Sequence, residues 1–271
     1  MTAEEKRDLA SFLDLAADYL RDGYRRPREP YNFAENSAPE GAASAAPAPL
    51  PDLPGPDSPD TPEGIAAEIR ACAGCSLAAA RTRTVPGEGV SSPLVLVVGE
   101  GPGADEDAAG RPFVGRAGQY LDRMLASVAL SRERNCFIAN TVKCRPPENR
   151  DPLPEEGAAC LPYLLRQIKC LKPLVILCAG KVAANRLLGF DGTEGIGRLR
   201  GRFHPYEGLE GYPESRRDRA IPLLCTYHPS AVLRDQGLRL PVWEDLKLLK
   251  AKLSELDEAY AAESAAGPAG R

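Results

Sequence analysis

Signals for export and for the membrane are what this sequence most plainly lacks. No apolar run in its 271 residues approaches the ~18 that a membrane span requires, and the N-terminus has no apolar signal-peptide core. The expectation is a cytoplasmic protein without membrane attachment. An excess of positive charge is missing too. The formal net charge is −4, so no global basic field draws the chain to nucleic acid, and any such surface must be a local patch. Histidine is scarce, with only two, His204 and His228. The eight cysteines, in a chain without an export signal, are not expected to form a disulfide framework. They are scattered core residues, or some of them hold a metal. At 43% hydrophobic and 27% charged, the composition still leaves ample material for a core.

What is present divides the chain. Residues 4–24, EEKRDLASFLDLAADYLRDGY, set Leu9, Phe12, Leu13, Ala16 and Leu20 on one stripe, so residues 1–26 are expected to form an amphipathic helix. Two fates fit such an appendage: docking on the main domain, or binding another protein. Residues 27–60 are rich in Pro, Ala, Ser and Gly and read as a disordered linker, because they bury too little surface to order themselves. Residues 61–257 have the pattern of a folded domain, and 258–271 read as a flexible tail. A monomer is the default expectation.

Within the domain, four apolar runs read as buried strands: LVLVVG (94–99), CFIANTV (136–142), LVILCAG (174–180) and IPLLCTY (221–227). Helical patterns alternate with them at 62–71, 116–130, 155–171, 180–188 and 241–260. Such alternation predicts a parallel sheet covered on both faces. Ligands on these sheets sit at the carboxyl ends of the strands, so the segments after the runs carry the functional information.

After the first run comes GEGPGADED, where Gly99, Gly101 and Ala104 match the loose dinucleotide spacing. A pyrophosphate cradle needs positive potential from amides and a helix N-terminus. This loop instead holds Glu100, Asp105, Glu106 and Asp107, and Pro102 removes one amide donor. It is not a phosphate site. After the second run, NTVKCRPPENRDP puts Asn140 near the strand end and Arg145 and Arg150 in a proline-stiffened loop. Asparagine offers a donor and an acceptor, which suits the edge of an amide-like ring; a turn-forming role competes with that reading. After the fourth run, YHPSAVLRD places His228 where ligands belong, with Ser230 able to cap the next helix. Upstream, GIGRLRGRFHPY clusters Arg198, Arg200 and Arg202 among glycines, as a basic loop that follows a phosphate backbone or as a solvated hairpin.

The cysteines divide by position. Cys136, Cys178 and Cys225 lie in the strand runs and Cys170 ends a helix, where a thiol acts as a small hydrophobe. Cys72 and Cys75 form C-x-x-C outside the strands, Cys144 lies in the Arg/Pro loop and Cys160 in the helix after it. Four such cysteines suit zinc or an iron–sulfur cluster, and spacing alone does not choose.

In this order, CAGCSLAAARTRTVPGEG, VVGEGPGADEDAAGRPFVGRAGQYLDRML, NTVKCRPPENRDP with Cys160, and TYHPSAVLR resemble the iron–sulfur (family 4) uracil-DNA glycosylases over about residues 63–253. The resemblance implies a three-layer α/β/α domain with a central four-stranded parallel sheet. It implies that Cys72, Cys75, Cys144 and Cys160 ligate one [4Fe–4S] cluster that organises loops near DNA. It also implies excision of uracil from single- or double-stranded DNA, leaving an abasic site. Some relatives of that family form a covalent adduct through a histidine in an inserted basic segment. The Cys144 loop has neither, so ordinary hydrolysis is expected.

On that basis Phe113 stacks on a flipped base, and Asn140 pairs with the O4 and N3–H edge of uracil. His228 stabilises the leaving anion, and Glu100 handles the attacking water. Backbone amides of Gly101 and Gly103 could assist, with Asp107 a second candidate for the water. Phosphate contacts fall to Arg145, Arg150, Arg198, Arg200, Arg202 and Arg234, and Leu233 belongs to a candidate wedge at 231–233. Two alternatives compete: an Fe–S DNA-binding or polymerase-associated protein that lost excision, and a nucleotide-binding α/β protein with structural zinc.

Overall fold

The computed structural model describes residues 60–209 and 220–265. The expected N-terminal helix (1–26), the linker (27–60) up to residue 59, and the end of the expected tail (266–271) lie outside the described residues.

Thr61 opens the first helix, α1 (Pro62–Ala71). Its side-chain oxygen accepts the Gly64 amide at 3.0 Å, and Pro62 occupies the first turn, where no amide hydrogen is required. A short α2 (Leu77–Ala80) follows the C-x-x-C pair. The sheet then builds from β1 (Glu88–Gly89), β2 (Val95–Gly99), β3 (Cys136–Asn140), β4 (Val175–Ala179), β5 (Phe203–Tyr206) and β6 (Ile221–Thr226), in the order β1-β3-β2-β4-β6-β5. The inner four are parallel and coincide with the four apolar runs. The two edge strands are antiparallel additions that the sequence reading did not foresee. β5 lies in the segment read as a basic loop or hairpin.

Every residue of β2, β3 and β4 is buried, as a sheet covered on both faces requires. Leu96, Val98, Phe137, Ala139, Ile176 and Leu223 pack on one face against α5 (Pro154–Leu171) and α6 (Lys181–Leu188). The remaining buried helix residues come chiefly from α4 (Arg116–Ala126) and α9 (Arg239–Leu256). Between β2 and α4 lies α3 (Ala104–Ala109). The short α7 (Ile196–Leu199) precedes β5, and α8 (Pro229–Arg234) follows β6.

The tail expected from residue 258 needs correction. Residues Glu258–Ala265 form α10, entered through Asp257, whose carboxylate accepts the Tyr260 amide at 2.7 Å. Tyr260 is 2% exposed and donates its hydroxyl hydrogen to the Val128 carbonyl at 2.6 Å. One tyrosine that buries its ring and satisfies its hydroxyl anchors an otherwise Ala/Glu-rich segment.

Candidate active site

The carboxyl ends of the parallel strands bring their loops to one edge. β3 ends at Asn140 and β2 at Gly99, which are register partners; β4 leads to Gly180 and Lys181, and β6 to His228. Glycine ends β2 because the space is taken. A Cβ on Gly99 would lie 2.5 Å from Asn140 Oδ1 and 2.5 Å from Phe113 Cζ. Asn140 is 1% exposed, and its Oδ1 has no hydrogen-bond partner among the described residues. An acceptor left open in this way costs about 1–3 kcal/mol, so it marks where a ligand N–H belongs. The Phe113 and His228 ring centroids are 5.6 Å apart with planes inclined by 33°.

Phe113 holds a left-handed backbone, φ 51°, unusual for a bulky residue. The loop around it is tied from both sides. The buried Arg132 guanidinium donates to the carbonyls of Pro112 and Phe113, each at 2.9 Å. The Glu106 carboxylate accepts the amides of Val114 at 2.8 Å, Gly115 at 2.9 Å and Gly103 at 3.1 Å. Beneath the loop, a Cβ on Gly118 would fall 2.0 Å from the Phe113 carbonyl. Strain of roughly 1–3 kcal/mol persists only where the surroundings over-determine it, and here they do. Sequence reasoning missed both clamps. Glu106 had a signal, an acid three residues after a helix N-cap; Arg132 had none.

His228 is the N-cap residue of α8. The Ser230 amide donates to its Nδ1 at 3.2 Å, and Ser230 Oγ lies 2.8 Å from the same nitrogen. An amide N–H cannot accept, so Nδ1 is the acceptor and the ring proton sits on Nε2. Burial chiefly, then the charge of Arg234, brings the His228 pKa down to about 4. The imidazole is neutral at ordinary pH and offers one donor.

Glu100 is half-buried, and burial first, then the neighbouring Asp151, push its pKa up to about 7. Lys181 and Arg234 pull the other way. Its carbonyl accepts from the Thr141 hydroxyl at 2.5 Å and the Val142 amide at 3.2 Å, which fixes the backbone beside Asn140. Lys181 and Asp151 are further residues missing from the sequence reading, since the end of β4 carried no motif and Asp151 no role.

A second cluster lies beyond β3. Cys72, Cys75, Cys144 and Cys160 are free, and Cys75, Cys144 and Cys160 pack with Leu77 and Val142 in one cluster. Two of the four sulfurs accept an N–H: the Gly74 amide donates to Cys72 at 3.4 Å and the Arg81 guanidinium to Cys144 at 3.2 Å. Amide and guanidinium donors aimed at sulfur are what thiolate ligands of a metal centre use. Among the described residues, no group of three or more His, Cys, Asp or Glu is arranged to hold a single metal ion.

Residues 86–247 match the uracil DNA glycosylase superfamily. A type-4 uracil-DNA glycosylase of Archaeoglobus fulgidus is 40% identical over 196 residues, covering 72% of this chain and 92% of that protein. The type-4 enzyme of Saccharolobus solfataricus is 42% identical over 193 residues, 70% of this chain and 85% of its own. That of Pyrobaculum aerophilum is 44% identical over 182 residues, 66% of this chain and 88% of its own. The chain belongs to the type-4 uracil-DNA glycosylases.

In this type-4 glycosylase chain, several residues expected at the substrate or the DNA are committed elsewhere. Asp107 is 4% exposed and takes the Thr82 amide on both oxygens, at 2.9 and 3.0 Å, with the Arg83 amide at 3.3 Å. It anchors the 82–83 segment and is corrected to a structural residue. The Gly103 amide is already used by Glu106, which corrects the expectation that it assists the base. Arg150 forms a two-pronged pair with the wholly buried Glu156, at 2.8 and 2.7 Å. Arg200 does the same with the wholly buried Asp245, at 3.0 and 2.9 Å. Each buried carboxylate is thus matched by an arginine, which ties part of both guanidinium groups into the fold. Gly101 stays in the turn, where a Cβ would meet Val142 at 2.9 Å. Arg202 is exposed, as is Arg198, 3.9 Å from Glu194; Arg145 binds Asn149 at 2.8 Å. Leu233 is half-buried on α8, and the exposed Arg234 reaches Ser230 Oγ at 3.3 Å beside the pocket. No helix among the described residues is long and apolar enough to cross a membrane.

Proposed function

We propose that the chain hydrolyses the N-glycosidic bond of deoxyuridine flipped out of DNA, with Asn140 reading the base, Phe113 stacking on it, His228 stabilising the leaving anion and Glu100 directing water. The open acceptor on buried Asn140 carries this reading. Uracil presents N3–H to Oδ1 and O4 to the amide hydrogens. Cytosine presents the reverse and leaves buried polar atoms unmatched. Thymine shares the uracil edge, so its rejection rests on space at C5.

Flipping the nucleotide costs a few kcal/mol, which stacking on Phe113 offsets in part. Glycosidic cleavage passes through an oxocarbenium-like sugar while negative charge grows on the leaving uracil, largely at O2. The Nε2–H of neutral His228 meets that charge without proton transfer. Glu100, poised near neutrality, takes a proton from the attacking water, and its charge favours the sugar cation. The test is incubation with an oligonucleotide containing one uracil, followed by alkaline cleavage of abasic sites. A cut at uracil and none at a thymine control is expected; no cut by iron-loaded protein favours the binding-only alternative.

Cys72, Cys75, Cys144 and Cys160 would hold the [4Fe–4S] cluster of this family. The cluster would tie the 72–75 loop, the end of β3 and α5 together. A lone zinc would need its sulfurs roughly 3.8 Å apart, from Zn–S bonds of about 2.3 Å. Protein purified without oxygen is expected to carry about four iron and four sulfide per chain, and Cys144→Ser to lose most of both. One zinc per chain in place of iron would overturn this assignment.

DNA contacts are expected from Arg234 and the exposed Lys181 rather than from Arg200. Arg234→Ala should weaken oligonucleotide binding and flatten its salt dependence by about one unit of slope. Arg200→Ala should leave that slope unchanged and destabilise the fold by about 3–5 kcal/mol in urea titration, because it strands Asp245.

A further inference from the structure

The segment VPGEG (85–89) supplies none of the four residues assigned to the base, the leaving anion or the water. It carries β1, and the Glu88 carboxylate on that strand gathers two arginines that flank Phe113 in the chain. Arg111, two residues before Phe113, makes a two-pronged pair with Glu88 at 2.7 and 2.6 Å. Arg132 Nη1 lies 3.7 Å from the same carboxylate. Arg132 is 6% exposed, and its fork is used in three directions. Nη1 donates to the Pro112 carbonyl and Nη2 to the Phe113 carbonyl, while Nε and Nη2 hold Asp122 of α4 at 3.1 and 2.7 Å. A planar guanidinium serves two successive carbonyls and a carboxylate at once; a lysine ammonium presents its donors from a single point. Phe113 needs such a hold, because a bulky residue leaves φ 51° once its surroundings release it.

We infer that Arg132, braced by Glu88 and Asp122, is a positioning residue for base stacking and acts through the Phe113 carbonyl to keep the ring turned toward the pocket. This rests on the reading of Phe113 as the stacking aromatic. The backbone at Phe113 decides where the ring points, since φ sets the direction of the Cα–Cβ bond relative to the loop. In the left-handed state the ring stands against Gly99 at the end of β2, with its centroid 5.6 Å from that of His228. Relaxation to an ordinary backbone swings it away from both. Through one guanidinium, an edge strand and a helix that supply no base-reading residue fix the platform on which the base lies.

The test is a double-mutant cycle read as kcat/KM on an oligonucleotide containing one uracil. Removing a ring on which a base stacks costs about 5–150-fold, so Phe113→Ala should lose that much. Arg132→Lys keeps the charge but cannot fill the fork, and should lose about 3–30-fold, a part of the same effect. Added to Phe113→Ala, the lysine should cost less than about two-fold more, because the ring it positions is gone. A merely structural arginine would lower both backgrounds alike. Arg132→Lys with wild-type kcat/KM, or with an equal or larger cost beside Phe113→Ala, would overturn the inference. Wild-type kcat/KM in Phe113→Ala would instead overturn the stacking reading itself. Should Arg132→Lys fail to accumulate as folded protein, Asp122→Asn takes its place, at a side chain 48% exposed. It should lose about 2–5-fold alone and nothing beside Phe113→Ala; no loss alone, or the same loss in both, overturns the inference.

Discussion

Alanine at His228 is expected to lower kcat for uracil excision by about 10²–10³-fold, with KM changed only a few-fold. The reasoning is electrostatic. The Ser230 amide fixes the ring in the tautomer that points Nε2–H outward, and burial keeps the pKa down at about 4. A donor of this kind interacts weakly with neutral bound uracil and strongly with the anion that departs, so its loss falls on the transition state. Because the imidazole is already neutral, the slower variant should keep the wild-type pH profile above about pH 5. Single-turnover kinetics on a uracil oligonucleotide measures both. A parallel drop in affinity and none in kcat would reassign His228 to packing against Phe113.

Glu100→Gln is expected to cost about 10²–10⁴-fold at pH 8 and to change the shape of the profile. The Glu100 pKa is raised from the ordinary 4.5 to about 7, chiefly by burial. Below that value the carboxyl is protonated and cannot act as base, so wild-type activity should rise with pH through about 7 and then level. The glutamine variant should be flat through this window. Stability runs in the opposite direction. Folded protein binds this proton more tightly than the unfolded chain, so the contribution is present below 4.5 and is lost as pH rises toward about 7. Glu100→Gln should therefore be more stable than wild type at pH 8 in urea titration, the usual exchange of function for stability. Near-normal turnover in this variant would move the handling of water to another group.

How far the sequence led depends on which physical signal each element carried. The four inner strands were legible because burial on both faces writes an unbroken apolar run, and the strand-end rule then pointed to Asn140, Glu100 and His228. The edge strands were not, since β1 has two residues and β5 is half-polar, FHPY. Arginines were read by charge, and charge alone cannot tell an arginine facing phosphate from one neutralising a buried carboxylate. Glu156 and Asp245 look like surface acids in the sequence, and only the three-dimensional packing makes them the owners of Arg150 and Arg200. Asp107 failed for a related reason: its acceptors serve amides about 25 positions away. Arg132 was invisible because long-range burial, not local spacing, gives it its role.

The edges of the sheet also bear on how the molecule behaves in company. An open sheet is a template for strands of other chains, and long flat edges invite aggregation. Here one side closes on the two-residue β1, whose Gly89 has φ 146° and sits so close to Cys136 and Phe137 that no side chain fits. The other side closes on the four-residue β5, where Pro205 faces Pro222 across the ladder, so both positions lack an amide donor. Neither border offers a run of free backbone donors long enough to recruit another strand. The described domain is thus guarded at both borders of its sheet against edge-to-edge pairing with another strand.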